Sequence, residues 1–573
     1  MKAEVVNTDL VVLGSGLAGL RAAIEFDKLS RGKYEVAVIS KVQVMRSHSV
    51  APEGGAAAVM REGDSFEQHA YDTVKGSDFL ADQDAVQQFV MDAPGEIIQL
   101  EHWGMPWARD QEGNLLARSF GAHEVPRTYF AYDRTGFFLM KTLYDRALKG
   151  DNIRFYHEFF ATAILANEGR FNGLLTMERA TGNFVYFKAK ALIVATGGVG
   201  RIYKYVTYSH TVTGDGLAMA YRAGIPLKDM EFIQWLPTTM IPYGIPATEA
   251  LRGHGALLLN SDGERFMKKY APRKMELAAR DIVTRAIFTE ISEGKGVEGP
   301  RGVKAVLLDT RPVGEERLKS IYKTFRENSI QFLGKDPLEE PIPVLPAAHY
   351  SMGGIHVMGT ELSTTLKGVF AAGEVANVSL HGANRLGSNS LPACLVTGKW
   401  AGKSAFNYVM ALDGELMDKP VEDIDKYVES SFNVVKKERG AVTPYEIRNK
   451  LQDVMEEKVG VFRNERDLME AIKTIRDLKE ASRDMYVRDR AFEYNLEWVH
   501  AHEVLNLLDL AEVIATSALY RKESRGAHFR QDFPSRDDGN FLKHSLASYT
   551  RDGPLVSYVP VTVTKWKPTE RVY

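Results

Sequence analysis

Residues 9–25 read Asp9-Leu-Val-Val-Leu-Gly-Ser-Gly-Leu-Ala-Gly-Leu-Arg-Ala-Ala-Ile-Glu25, and this stretch decides the fold. An apolar run, Leu10 to Leu13, has the length of a buried strand and stops at glycine. After it, Leu20-Arg-Ala-Ala-Ile-Glu25 has helical character. Between them Gly14-Ser15-Gly16-Leu17-Ala18-Gly19 forms a G-x-G-x-x-G turn. Gly14 permits the tight turn, Gly16 lets the backbone approach a pyrophosphate, and Gly19 permits close helix–strand packing. The helix N-terminus then faces the phosphate charge. Strand, glycine turn and helix in this order predict a dinucleotide site at the start of an α/β domain.

Further along the chain, Val36-Ala-Val-Ile39 reads as the second parallel strand, and an acidic ribose ligand is expected at its end. The strand instead ends in Ser40-Lys41. That argues against an NAD site and leaves FAD, whose ribose can be held by other contacts. Three glycine-flanked turns support FAD. Ala195-Thr-Gly-Gly198 follows the strand-like Ala191-Leu-Ile-Val-Ala195 and brings Thr196 and Gly197 to a close backbone approach. Thr213-Gly-Asp-Gly216 presents Asp215 to a hydroxyl, and Gly368-Val-Phe-Ala-Ala-Gly-Glu374 ends a buried strand on Glu374.

The α/β pattern covers residues 1–235 and resumes at 350–410. Residues 236–349 form a less regular insert, rich in proline, glycine and charge, expected to cap the ligand site. Residues 411–520 have the three- and four-residue apolar spacing of helices, as in Asp423-Ile-Asp-Lys-Tyr-Val-Glu-Ser-Ser-Phe432 and Leu468-Met-Glu-Ala-Ile-Lys-Thr-Ile475. Residues 521–573 read as a polar, irregular C-terminal unit ending in the strand-like Val559-Pro-Val-Thr-Val-Thr564. The expected class is therefore α/β: an FAD-binding Rossmann-like domain with an inserted α+β capping domain, then a helical domain and a C-terminal tail.

Composition narrows the partners. A net charge of −3 with interspersed signs gives no footprint for nucleic acid. The single cysteine, Cys394, excludes an internal disulfide framework and a cluster or zinc site built from cysteines of this chain. It fits a reducing compartment. No apolar run approaches the ~18 residues of a membrane span. The N-terminus has neither the apolar core of a signal peptide nor twin arginines, so any membrane association is expected to come from a partner.

Several segments together resemble the flavoprotein subunits of succinate dehydrogenase and fumarate reductase. They are Arg46-Ser-His-Ser with Glu53-Gly-Gly55, Trp103-Gly-Met-Pro-Trp107, Ala348-His-Tyr-Ser-Met-Gly-Gly354, His381-Gly-Ala-Asn-Arg-Leu-Gly-Ser-Asn-Ser390 and Ser524-Arg-Gly-Ala-His528. The resemblance covers nearly the whole chain, and the Ser40-Lys41 ending is itself similar to the family pattern. By itself His48 reads as a loop residue; the resemblance implies that it carries FAD covalently. The implied cofactor contacts also include Ser47, Ser49, Gly54, Gly55, Ala161, Arg385, Ser390 and Leu391. Arg385 and His349 are implied to bind a substrate carboxylate, with Thr248 and Glu249 at the other end and Phe120 packed beside it. Read from the residues alone, His349 occupies a loop before a Gly-Gly turn, and Arg280 is a helix-initial ion-pair partner. The resemblance gives Arg280 a proton-transfer role, relayed through Arg252 and Glu249.

One departure stands out. Where the family usually has His-Pro-Thr, this chain has Leu236-Pro-Thr238, and Leu236 cannot donate a hydrogen bond. His254, in Arg252-Gly-His-Gly255, stands where a glutamate is common and is a candidate to compensate. The expected activity is succinate–fumarate interconversion, with electrons passed to an iron–sulfur subunit and a membrane anchor carrying quinone. The expected location is the cytoplasmic side of the membrane, peripheral through those partners. Three rivals remain: a soluble L-aspartate oxidase, against which the His48 segment argues; a related flavoenzyme acting on a substituted succinate, favoured by Leu236; and a non-catalytic electron carrier, which would leave Arg280, His349 and Arg385 without a substrate.

Overall fold

The structure, a computed structural model, describes residues 3–412, 424–437 and 439–572. Asp423, which begins the first expected helical run, lies outside the described residues. At the centre is a five-stranded parallel sheet in the order Val369–Ala371, Ala191–Val194, Leu10–Leu13, Val36–Ser40, Ile153–His157. All but the edge strand Ile153–His157 are almost wholly apolar and buried, as both faces of a parallel sheet must be. The helix Leu17–Ser30 follows the glycine turn and packs along the helix Ser390–Ala411. Gly398 and Gly402 make that approach possible: a Cβ on either would sit within about 2.6 Å of a carbonyl oxygen of the facing helix, Ala18 or Ala22.

A four-stranded sheet, Glu4–Asn7, Phe184–Lys188, Arg170–Glu178 and Phe159–Asn167, flanks this core. The stretch read as an irregular insert is more ordered than expected. It holds most of a sheet whose path runs Ile245–Pro246, Ile233–Met240, Ile342–Ser351, Lys304–Asp309, Leu257–Leu259. This sheet and the helix Arg280–Glu290 share a separate core that includes Met240, Val283, Ile287, Val306, Ile342 and Val344. Prolines at 237, 343 and 346 obscured the strands, which are interrupted by register shifts rather than broken. His349 consequently lies within the strand Ile342–Ser351 and not in a loop.

The helices Ile424–Lys436, Pro444–Lys458, Glu465–Ser482 and Leu496–Tyr520 make the helical layer. The C-terminal unit is less irregular than its polarity suggests. Lys543–Ser548 and Leu555–Pro560 pair antiparallel and join Leu227–Lys228 in a further sheet. Only Val559 and Pro560 of the anticipated strand Val559–Thr564 belong to it. Buried ion pairs fasten this segment: Arg521 donates to Glu231 at 2.6 Å and Glu523 at 3.0 Å, and His544 meets Asp229 at 2.6 Å. Glu231 and Asp229 come from distant sequence, so the local pattern gave no sign of them.

Candidate active site

Two cavities, of about 940 and 970 Å³, meet at Leu17, His48, Ser49, Glu374 and Cys394. Both volumes suit a large organic ligand. The first is walled by the glycine turn (Gly14, Ser15, Gly16, Leu17, Ala18), by Ser40 and Lys41, by Ser47 to Ser49, and by Ala161, Thr196, Gly197 and Asp215. Gly19 does not line it; Gly19 packs against Gly14, where a Cβ would overlap the Gly14 carbonyl. Gly14 takes φ 110°, the region that favours glycine. The first helix begins at Gly16 with no side-chain cap, so its N-terminal amides face an anion site. The Thr196 hydroxyl on the same wall is buried without a partner. These features fit a dinucleotide. No acid follows the second strand, but Asp215 lines this cavity from elsewhere in the chain, and Lys41 Nζ donates to it at 2.7 Å and to Glu503 at 2.8 Å.

The second cavity brings together Phe120, Leu236, Thr248, Glu249, Arg280, His349 and Arg385, along with Gly54, Gly55, Ser390 and Leu391. Glu249 and Arg280 each begin a helix, Glu249–Gly253 and Arg280–Glu290, in the capping layer. Arg385 and Ser390 arrive from the cofactor-side segment that leads into the long helix Ser390–Ala411. Arg280 Nε donates to Glu249 Oε2 at 2.7 Å and Nη1 donates to Gln234 Oε1 at 3.0 Å. Arg252 lies behind them, its Nη2 3.7 Å from Glu249 and its Nη1 on the Glu276 carbonyl. His349 Nδ1 meets the Thr207 hydroxyl at 2.7 Å, which leaves Nε2 for a ligand. Phe120 packs so closely on Gly54 and Gly387 that a Cβ at either would meet its ring within 3 Å.

Charge defines what this cavity accepts. Burial alone would raise the Glu249 carboxyl, but the guanidiniums of Arg280 and Arg252 hold it below the usual carboxylate range. Burial raises Glu53 to about 8 and Glu374 to about 7, so neither adds a full negative charge near neutral pH. Arg385 is 2% exposed, and burial together with the nearby Arg280 lowers it to about 10. Arg280 and Arg385 therefore face one firmly ionised carboxylate, Glu249, with Arg252 behind it, and positive charge is in excess on this wall. Unpaired buried charge is costly, and a dianion relieves it.

Not every expected residue reaches the cavity. His254 does not line it: its Nδ1 meets the Tyr322 hydroxyl at 2.5 Å, so it does not replace the contact that Leu236 lacks. Sequence reasoning missed Gln234, Thr207 and Tyr208. Gln234 holds Arg280 while its amide donates to Asn384 and to the Arg385 carbonyl. Tyr208 packs its ring 5.2 Å from that of His48 and donates to Glu374. No local pattern marks these positions; only the chain's return to the cavity does.

Burial keeps the site histidines neutral. It lowers His48 to about 4, His381 to about 3, and, with Arg280 and Arg385, His349 well below its ordinary value. Their folded pKa values lie below the unfolded value of about 6.5, so the unfolded chain binds more protons as pH falls. Stability is then fully present above pH 6.5 and is lost as pH drops towards 4. For His381, which is 9% exposed, the expected slope is about 1.4 kcal/mol per pH unit across this window. Thermal melts from pH 7 to 5 should show the decline, and His381→Gln should flatten it.

The comparisons with known proteins agree with the site. A family model described as FAD binding domain matches residues 9–391, and one described as fumarate reductase flavoprotein C-term matches residues 448–573. Fold and site together thus define an FAD-binding flavoprotein. The chain is 43% identical to a fumarate reductase flavoprotein subunit of Mycobacterium tuberculosis, over 99% of each chain. It is 40% identical to a succinate dehydrogenase flavoprotein subunit of Rickettsia felis, over 99% of this chain and 98% of that one. A solved structure of a mutant E. coli quinol fumarate reductase chain superposes with a TM-score of 0.96 at 40% identity, covering 100% of this chain and 99% of the other. The chain belongs to the fumarate reductase and succinate dehydrogenase flavoprotein subunit family, oxidoreductases acting on a CH–CH bond.

Proposed function

We propose that this chain interconverts fumarate and succinate at the second cavity, with FAD held in the first and bonded covalently to His48. The observation that carries the reading is the excess of buried guanidinium charge, Arg280 and Arg385 against Glu249, in a cavity that shares His48 with the dinucleotide cavity. FAD, when bound, supplies the two-electron exchange of hydride with a substrate carbon. Arg385 and His349 Nε2 hold one carboxylate, and Thr248 with the helix start at Glu249 borders the other. Arg280 Nη2, with no protein acceptor among the described residues, gives or takes the proton on the neighbouring carbon. Glu249 and then Arg252 restore its protonation.

Electrons leave through an iron–sulfur subunit and a membrane anchor with quinone. The lone Cys394 supports this, since one cysteine cannot ligate a cluster, and the similar E. coli chain comes from a quinol fumarate reductase. No helix among the described residues is long and apolar enough to cross a membrane, and the chain is proposed to sit on the anchor at the cytoplasmic face through its partners. The test is anaerobic bleaching of the flavin by a panel of dicarboxylates, followed by reoxidation with fumarate. Bleaching by succinate and recovery with fumarate are expected; an unchanged spectrum with every dicarboxylate refutes the reading.

A second reading rests on Leu236, which lines the cavity and is 3% exposed. Its apolar side chain favours a succinate with an alkyl substituent. Restoring a donor with Leu236→His should strengthen succinate binding by about 10- to 100-fold, the worth of roughly 1.5–3 kcal/mol for a hydrogen bond to a charged group. The KM for succinate against that for methylsuccinate measures it. A variant that gains on neither shows that position 236 does not touch substrate.

A further inference from the structure

A third cavity, of about 370 Å³, lies apart from the substrate chamber. It forms where the loop between Gly200–Ile202 and Asp215–Arg222 meets the helices Pro444–Lys458 and Leu496–Tyr520. Arg201, His210, Arg448 and His500 converge on it. Arg448 Nε is buried with no partner. Arg201 is disfavoured as a cation first by burial and then by Arg448, with only partial relief from Glu503. Among the described residues neither guanidinium forms an ion pair.

Glu503 is the one carboxylate on the wall, and its oxygens are committed. Oε1 accepts from Lys41 at 2.8 Å and Oε2 pairs with His500 Nδ1 at 2.8 Å. The wall therefore offers two arginine forks and imidazole nitrogens without a free acceptor to match them. The helix Pro444–Lys458 also begins at this wall, its start capped by Thr443 and Glu446. Like charges on one partly dehydrated wall favour an anion between them.

We propose that this cavity is a binding site for a phosphate-class oxyanion, gripped between the guanidiniums of Arg201 and Arg448. The planar forks match two oxygens each on a tetrahedral oxyanion. The cavity is much smaller than the two that meet at His48, so a nucleotide would enter by its terminal phosphoryl, past the exposed His210. The site adjoins the cofactor cavity. Thr213 and Glu503 belong to its wall, and both hold Lys41, which with Asp215 lines the dinucleotide cavity. Neutralising the two arginines leaves Glu503 to Lys41, and ties the helical layer to the loop that carries Thr213. Occupancy thus stabilises the cofactor-loaded fold.

Thermal unfolding of the flavin-loaded protein in inorganic phosphate, against chloride at matched ionic strength, tests this. The melting temperature should rise with the logarithm of phosphate concentration, as for a ligand that binds only the folded state. The rise should vanish in Arg201→Gln/Arg448→Gln. It should shrink in Arg448→Lys, which keeps the charge but loses the fork. Equilibrium dialysis with labelled phosphate gives a second readout: about one phosphate per wild-type chain and at least tenfold weaker binding by Arg448→Lys, whose flavin spectrum should be unchanged. An ATP arm separates the sources, a larger shift than phosphate assigning the nucleotide and an equal or smaller one the free anion. No phosphate-specific shift in the wild type, a shift with ATP alone, or full shifts in both variants would overturn the proposal.

Discussion

Arg280→Lys is expected to lower fumarate reduction roughly 100- to 10,000-fold, the range for losing a positioned acid or base, while the flavin stays bound. The reason is geometric. Arg280 spends Nε on Glu249 and Nη1 on Gln234, and still has Nη2 for the substrate. A lysine ammonium offers one nitrogen and cannot hold both partners while presenting a donor at a fixed place. It also leaves Glu249, buried and ionised, with a weaker partner. An arginine is an unusual proton donor because it is normally always protonated. The Glu249 and Arg252 pair supplies the physical excuse: a carboxylate between two guanidiniums can return a proton to one while the other stays charged. Single-turnover kinetics and the flavin spectrum check the prediction together. Near-normal turnover with lysine would remove Arg280 from the chemistry, and a lost flavin spectrum would show a folding role instead.

The second large effect is expected at His48. Acid precipitation of the wild-type protein should keep the yellow chromophore in the pellet, and His48→Ala should release it to the supernatant. The structure favours the bond in three ways. Nδ1 accepts from the Ser209 amide at 3.3 Å, which puts the ring proton on Nε2, so Nε2 faces the flavin and gives up that proton as the bond forms. Burial, by lowering the ring to about 4, keeps it neutral and nucleophilic. Tyr208 lies against the imidazole and fixes its plane. Loss of the bond should also lower the flavin potential. For a two-electron couple each 30 mV shifts the equilibrium about tenfold, so succinate oxidation should suffer more than fumarate reduction. Equal losses in both directions would separate attachment from potential.

These predictions differ in how far they were legible in the chain. The glycine turn placed the cofactor domain because its requirements are local: positive φ at Gly14 and a close approach at Gly19 admit no side chain. The parallel strands were legible for the same reason, since burial on both faces demands an unbroken apolar run. The capping sheet was not, because prolines and register shifts interrupt the alternating pattern of its strands. His349 was therefore expected in a loop, whereas a strand presents it. Arg280 shows the opposite case. Its place at a helix start and its ion pair were both readable, but its orientation depends on Gln234, 46 residues away.

By itself the sequence determined the α/β class, the dinucleotide turn and, through the joint pattern around His48 and His381–Ser390, the family. Those are matters of short-range sterics and of distinctive residues. Only the tertiary structure decided that His254 turns to Tyr322 rather than to Leu236, and that Asp215 and Glu503 gather on Lys41. It alone showed that three guanidiniums gather around one carboxylate. Electrostatic balance and desolvation are sums over neighbours that lie far apart in sequence, so no local stretch contains them.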